Sequence, residues 1–248
     1  MTETRCVQTA DGPRISAVVG YERHGTHQAF IADVTAILAA LPLPAGSTVL
    51  EIGAGTGQVA LSLASARPDW HCVANDSDPD LLAWVARRAH ESGIALRLHH
   101  QSLGPWPQAV DVVILAQPLY QFADPLAVLQ DGLNALRPGG YVLVADQADQ
   151  ADVEALFFGK VNDLLQATFV RTASTVAALQ AVHDWFMGQA SRGSLPALAD
   201  AGPFQLRRPS ADLPRFGPAL ATLGYETVVA DDTCGHGQYQ VVVARRQP

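Results

Sequence analysis

The chain has 248 residues, of which 48% are hydrophobic and 16% are charged, so it can fill a hydrophobic core and wholesale disorder is excluded. With 16 Lys and Arg residues and 24 Asp and Glu residues, the chain has a formal net charge of −8. A negatively charged protein repels the phosphate backbone of a nucleic acid, so we expect no nucleic-acid partner. The three cysteines, Cys6, Cys72 and Cys234, lie far apart and form neither a disulfide framework nor a metal-binding pattern, so we expect no metal site.

The start of the chain and its apolar runs bear on location. Residues 1–14 are polar and lack the apolar segment of a secretory signal. No apolar run approaches the roughly 18 residues that cross a membrane. We therefore expect a cytoplasmic protein that has no membrane partner.

Strands and helices alternate from residue 48 onward. Short apolar runs predict strands, and apolar residues at helical spacing predict helices between them. The alternation predicts βαβ units and a mainly parallel sheet. In the third helix we expect four leucines to face the core, namely Leu126, Leu129, Leu133 and Leu136. The predicted strands are 48–52, 71–74, 95–99, 111–115 and 141–145, and the predicted helices are 58–66, 79–91 and 125–136.

The last part of the chain follows another pattern. Apolar runs at 225–230 and 239–244 are joined by a link too short for a helix, so they predict an antiparallel hairpin. Residues 147–213 fit neither pattern, and we interpret them as a mostly helical cap inserted into one domain that spans 1–248. Residues 1–46 are expected to form an N-terminal lid or helical segment.

The most informative motif is the sequence from Val49 to Gln58, which places an acid and three glycines after the first strand. Glycines let the chain turn tightly and let a ligand approach main-chain N–H groups. A phosphate-binding P-loop is excluded because the motif has no Lys. A dinucleotide fingerprint needs its third glycine where this chain has Gln58. The acid and the glycines are Glu51, Gly53, Gly55 and Gly57.

This motif resembles the nucleotide loop of class I S-adenosylmethionine-dependent methyltransferases. The resemblance extends to the acid after the second strand, to the segments DVVILAQPLYQF and LRPGGYVLVAD, and to the C-terminal hairpin. It implies a Rossmann-like α/β fold with a seven-stranded mixed sheet in which an antiparallel strand lies beside the fifth. It also implies S-adenosylmethionine as the cofactor and S-adenosylhomocysteine as the product.

The resemblance assigns roles to the loop and to the second strand. Glu51 is implied to lie near the methionine ammonium group, which agrees with the attraction between a cation and a carboxylate. Asp76, with Ser77 beside it, is implied to accept hydrogen bonds from the ribose hydroxyls, and Asn75 and Asp78 are the alternatives. Asp78 also fits an N-cap before Pro79. The residues implied to lie under the ribose and methionine are Gly53, Ala54, Gly55 and Gly57.

Two further segments follow the third and fourth strands. Family members commonly carry an Asp that binds the adenine amino group after the third strand, whereas this chain has Gln101, Ser102 and Leu103. Gln101 or Ser102 could accept that hydrogen bond, or the segment could be a plain loop. Gln117 follows a central strand and is expected to face the cofactor. With Tyr120 it stands where some amino-group methyltransferases hold the acceptor nitrogen, although a turn with Tyr120 packed on the next helix is the alternative.

Candidate bases lie at two other places. His24 and His27 are three residues apart and could share a helix face, and histidine is the usual base near neutral pH. A solvent-facing helix is the alternative for both. The resemblance places Tyr21 near the cofactor carboxylate. In the predicted cap, His183 beside Asp184 could form an acid–base pair, or belong to a half-buried helix.

The sequence therefore predicts methyl transfer from S-adenosylmethionine to an oxygen or nitrogen atom of a small metabolite, by a monomer or homodimer. The predicted cap would supply an apolar pocket for that acceptor. Two alternatives stay open: a non-methylating enzyme of the same fold, such as a cyclase, and a protein methyltransferase.

Overall fold

A computed structural model of the chain describes residues 25–101, 104, 106, 109–116, 125–147, 174, 176–177, 180, 213–237 and 239–247. The chain divides into two compact units. One consists of Gly25–Asp152 and Pro209–Pro248, and the other of Met1–His24 and Val153–Arg208. The fold and the site described below belong entirely to the first unit.

A seven-stranded sheet forms the centre of this unit, in the order β3-β2-β1-β4-β5-β7-β6. Strands β1 to β5 pair in parallel, whereas β7 pairs antiparallel with both β5 and β6. The predicted mixed sheet and hairpin are therefore confirmed, and β1 and β4 meet where the strand order reverses. The strands are β1 (Thr48–Ile52), β2 (His71–Asp76), β3 (Arg97–His100), β4 (Val110–Ala116), β5 (Leu136–Gln147), β6 (Tyr225–Asp231) and β7 (Tyr239–Arg246).

The described helices of this unit cover the sheet on both faces. Along β4, Val112 and Ile114 join the core on one face, and Val113 and Leu115 join the core on the other. This alternation is the two-residue period of a strand that is buried on both sides. The helices are α1 (Gly25–Ala39), α2 (Gln58–Ala66), α3 (Pro79–Glu91), α4 (Pro125–Asn134) and α5 (Leu213–Thr222).

Helix α1 lies within the segment predicted as an N-terminal lid. Its side chains Phe30, Val34 and Leu38 are at most 1% exposed and pack in the core with residues of β1 and α2. Residues 25–39 are therefore part of the sheet unit, whereas residues 1–24 fall in the other unit.

Several details differ from the sequence expectations. Leu126 is 56% exposed, so only Leu129, Leu133 and Leu136 of the predicted stripe face the core. Helix α4 ends at Asn134, because the chain then joins β5 at Leu136 opposite Val110. In the β6–β7 link, residues Cys234–Gly237 form a single turn in which Gly235 and His236 have left-handed φ values of 55° and 61°, so no regular helix stands there, as predicted.

Among the described residues, no helix combines the length and the apolar character that crossing a bilayer requires.

Candidate cofactor site

The loop after β1 is built on three glycines with positive φ. Gly53, Gly55 and Gly57 have φ values of 69°, 56° and 73°, a region that side chains with a Cβ rarely enter. A Cβ on Gly57 would lie 2.8 Å from Val85, so this glycine allows α2 to pack against α3. A Cβ on Gly55 would have no atom within 4 Å, so space is open there for a ligand to approach the backbone.

Glu51 lies beneath this loop and is only 3% exposed. Its Oε2 accepts a hydrogen bond from the amide of Ala60, 2.9 Å away in the first turn of α2. Burial raises the pKa of Glu51 to about 8; the Ala60 hydrogen bond opposes the rise, and the carboxylate of Asp76 adds to it. Glu51 is therefore mostly protonated near neutral pH, and a cation bound beside it would favour its ionised form.

Asp76, the last residue of β2, connects that strand to the glycine loop. Its Oδ2 accepts a hydrogen bond from the amide of Gly55 at 2.8 Å, and its Oδ1 accepts one from the amide of Asp78 at 2.9 Å. A carboxylate has about four acceptor sites, so both oxygens can still accept hydroxyl groups. Asp78 instead accepts a hydrogen bond from the amide of Asp80 and is the N-cap of α3.

Asn75, one of the alternatives for the ribose, is 1% exposed and is used inside the protein. Its Nδ2 donates hydrogen bonds to the carbonyls of His99 and Gln101, each at 2.9 Å. The amide of Gln101 also donates to the carbonyl of Asp76 at 3.2 Å. These bonds hold Gln101 beside Asp76 at the carboxyl edge of the sheet. Sequence reasoning missed this role for Asn75, because nothing local to Asn75 indicates its partners on β3.

His27 is the described member of the predicted catalytic residues. It is 7% exposed, so the alternative of a solvent-facing position is wrong for it. Its ring lies 6.0 Å from that of Phe30, which lies 4.3 Å from that of Tyr239. Tyr239 starts β7 opposite Gln147 at the carboxyl end of β5, so His27 belongs to the cluster at this edge.

Other predicted site residues have various outcomes. Ala54 is buried, and its amide donates to the carbonyl of Asn75 at 2.8 Å, which ties the loop to β2. Ser77 is exposed, with its carbonyl 3.1 Å from His100 Nε2. The described residues contain no group of three His, Cys, Asp or Glu side chains that could hold a metal ion. The predicted residues that lie outside the described part of the chain are Tyr21, His24, Ser102, Leu103, Gln117, Tyr120 and His183.

The described residues fit S-adenosylmethionine. The open space at Gly55 gives a ligand access to the main chain, and Asp76 beside it offers acceptors for a pair of hydroxyls. Buried Glu51 offers a counter-charge for an ammonium group. These three features follow neighbouring strands at the carboxyl edge, where open α/β sheets bind ligands.

Comparison with known proteins gives consistent matches. Residues 49–140 match the model of a methyltransferase domain. A release factor glutamine methyltransferase of Cereibacter sphaeroides is 40% identical over 112 residues, 41% of this chain and 40% of that protein. The aclacinomycin 10-hydroxylase of Streptomyces purpurascens is 32% identical over 145 residues, 53% of this chain and 37% of that protein. The chain thus spans about two fifths of the length of either curated relative.

A solved structure extends the comparison to most of the chain. The magnesium protoporphyrin IX methyltransferase of Synechocystis, with S-adenosylhomocysteine bound, superposes with a TM-score of 0.57. The superposition covers 90% of this chain and 84% of that one at 15% identity, so it is evidence for the fold.

Proposed function

We propose, since the chain belongs to the class I S-adenosylmethionine-dependent methyltransferases, that it transfers the cofactor's methyl group to an oxygen or nitrogen atom of a small molecule. The observation that carries the proposal is the loop at Gly55, which is open to a ligand and bonded through its amide to Asp76. Buried Glu51 at the end of β1 completes the site.

When bound, the cofactor supplies a methyl group that its sulfonium already activates for substitution. The protein's own task is therefore placement: the acceptor atom must be held in line, about 3 Å from the methyl carbon, with water excluded. In this proposal Asp76 fixes the ribose by accepting hydrogen bonds from its hydroxyl groups. Glu51 fixes the amino-acid end by ionising beside the ammonium group.

An acceptor hydroxyl or ammonium group must also lose a proton. His27 is the described candidate for this step, because its ring belongs to the cluster with Phe30 and Tyr239 at the carboxyl end of β5. A neutral imidazole nitrogen of His27 would take the proton from the acceptor atom. His24 and His183 stay candidates from the sequence for the same step, and Tyr120 stays a candidate for holding the acceptor.

Two observations support a small acceptor. The net charge of −8 disfavours a nucleic acid. In addition, residues 147–213 interrupt the predicted strand–helix alternation, and the apolar helices predicted there would supply acceptor contacts.

A protein acceptor is the second candidate. It is favoured by the 40% identity to a release factor glutamine methyltransferase, and by Gln117 and Tyr120 at the place where some amino-group methyltransferases hold the acceptor nitrogen. A reaction other than methylation is the third candidate, and the similarity to a protein named a hydroxylase favours it.

One labelling experiment separates these candidates. The purified protein is incubated with S-adenosylmethionine that carries a deuterated methyl group, together with the small-molecule or the protein fraction of a bacterial extract. Label in small molecules supports the proposal, and label only in proteins supports the second candidate. Binding of S-adenosylhomocysteine without label in either fraction supports the third. Gly55→Val is the inactive control.

A further inference from the structure

The connection from β3 to β4 is anchored at its start by a buried amide. Both hydrogens of Asn75 Nδ2 are directed to main-chain carbonyls, those of His99 and Gln101, at 2.9 Å each. Because Asn75 is 1% exposed, losing either bond would leave a buried polar group without that partner. Asn75 therefore fixes the backbone at the point where the chain leaves β3.

The same connection is anchored further on by helix α4. The amide of Gly104 donates a hydrogen bond to Oδ2 of Asp131 at 2.9 Å, and Trp106 Nε1 donates to the carbonyl of Asp131 at 3.2 Å. A Cβ on Gly104 would lie 3.0 Å from Asp131 Oδ1, a tight contact that shows how closely the two residues approach. Asp131 is itself held in place, since neighbouring residues of α4 pack in the core.

The first of these anchors lies at the carboxyl edge of the sheet, beside the residue assigned to the ribose. The amide of Gln101 donates to the carbonyl of Asp76 at 3.2 Å, which places Gln101 next to the site. The side chains of Asn75 and Asp131 form hydrogen bonds with the backbone of the connection itself. Their effect on a ligand would therefore be exerted through the connection, without direct contact.

We propose that Asn75 and Asp131 are positioning residues for the adenosine half of the cofactor, which hold Gln101 and Gly104 in the conformation that binds it. The inference rests on the proposed cofactor site. Its physical basis is that only the molecules in the binding-competent conformation bind the ligand. The apparent affinity therefore falls in proportion to the fraction of molecules in that conformation. Freeing Gly104 from Asp131 would lower the competent fraction and leave the glycine loop unchanged.

The test uses Asp131→Ala, because Asp131 is half-buried on a surface helix and its loss should leave the fold intact. Calorimetry measures the dissociation constants of S-adenosylhomocysteine and of 5′-methylthioadenosine, which has the adenosine half without the amino acid. We expect both constants to rise by the same factor, about tenfold. Asp131→Asn, whose amide oxygen can still accept from Gly104, should restore most of the affinity. Asp69→Ala, which removes an exposed carboxylate paired with Arg67, should change neither constant.

Three results would overturn the inference: unchanged constants in Asp131→Ala, a loss for S-adenosylhomocysteine alone, or a failure of Asp131→Asn to restore binding. Failure of the unaltered protein to bind S-adenosylhomocysteine would be a different result. It would overturn the proposed cofactor site, and the positioning role with it.

Discussion

The carboxyl group of Glu51 accepts a hydrogen bond of 2.9 Å from the main-chain amide of Ala60. Ala60 is the third residue of α2, where an N-cap side chain would ordinarily bind. Here the N-cap is Gly57, which has no side chain to offer, and the acid of β1 supplies the acceptor instead. Glu51 is thus both part of the helix start and the buried acid of the proposed cofactor site.

The raised pKa of Glu51 predicts a pH-dependent stability. The unfolded chain loses this proton near pH 4.5, whereas the folded protein keeps it until about pH 8. Between these values the folded state binds more protons, so the free energy of unfolding falls as pH rises, by up to ~1.4 kcal/mol per pH unit. Glu51→Gln keeps an acceptor for Ala60 and cannot ionise. Urea unfolding from about pH 5 to about pH 7.5 should therefore show a steeper decline for the unaltered protein than for the variant.

Asp69→Asn is the matched control for this measurement. In the unaltered protein, the hydrogen bond from Arg67 holds the pKa of Asp69 below its usual value of 3.8, so Asp69 stays ionised across the tested pH range. Its pH profile should follow that of the unaltered protein. Parallel profiles for Glu51→Gln and the unaltered protein would show that Glu51 ionises normally.

Gly55→Val should abolish binding of S-adenosylhomocysteine. The side chain would occupy the open space beside the loop, and a β-branched residue is strained at a φ of 56°. Gly46→Val separates the loss of ligand space from the backbone strain. Gly46 also has a positive φ and open space around it, but it lies before β1, at the opposite edge of the sheet. Calorimetry and thermal unfolding of both variants provide the measurement. Equal affinities in the two variants would contradict the assignment of the loop.

Asp76→Ala should weaken binding of S-adenosylhomocysteine by at least about tenfold, because hydrogen bonds to a charged group contribute roughly 1.5–3 kcal/mol each. The variant also frees the amide of Gly55. Asp78→Ala should instead cost about 1 kcal/mol of stability, since it removes the N-cap of α3, and leave affinity unchanged. A tenfold loss in Asp78→Ala with none in Asp76→Ala would show that the ribose site lies two residues further on.

The sequence predicted an element's bounds correctly where capping or helix-breaking residues mark its ends. Helix α3 has the predicted bounds, because Asp78 caps it, Pro79 starts it and Gly93 follows its end with a positive φ. Leu126 shows the limit of the same approach: its spacing fits the core stripe, but it lies in the first turn of α4, where it is 56% exposed.

The sequence predicted which residues form the proposed site, but not the hydrogen bonds that they make with distant segments. The glycines could be read from their spacing after β1, and the family resemblance implied the roles of Glu51 and Asp76. Pairing between distant segments could not be read in this way, because Asn75 finds its partners 24 and 26 residues away, and Gly104 finds Asp131 27 residues away. His27 illustrates the same difficulty, since its burial depends on contacts of α1 with β7 at the other end of the chain.

The last prediction concerns residues 147–213, which were predicted from the sequence as an acceptor-binding cap. Residues Met1–His24 and Val153–Arg208 fall into one compact unit, whereas Glu51, Gly55 and Asp76 of the proposed cofactor site fall in the other. Replacing 153–208 with a flexible Gly/Ser linker of about 20 residues should therefore leave the sheet unit able to fold. We expect S-adenosylhomocysteine to bind with nearly unchanged affinity, because Glu51, Gly55 and Asp76 all remain. Methylation of the acceptor found by labelling should end, because its contacts would be lost.

The shortened protein would leave residues 1–24 without the rest of their unit, so a second variant also lacks these residues. Thermal unfolding with and without S-adenosylhomocysteine shows whether each variant folds and binds. The matched control replaces residues 181–200 alone with a linker of equal length, which removes His183 and keeps the rest of the segment. If a variant lacking 153–208 binds the product and still methylates at a comparable rate, the acceptor site lies in the sheet unit. His27 would then be the base to test next, because it is the predicted base that this unit retains.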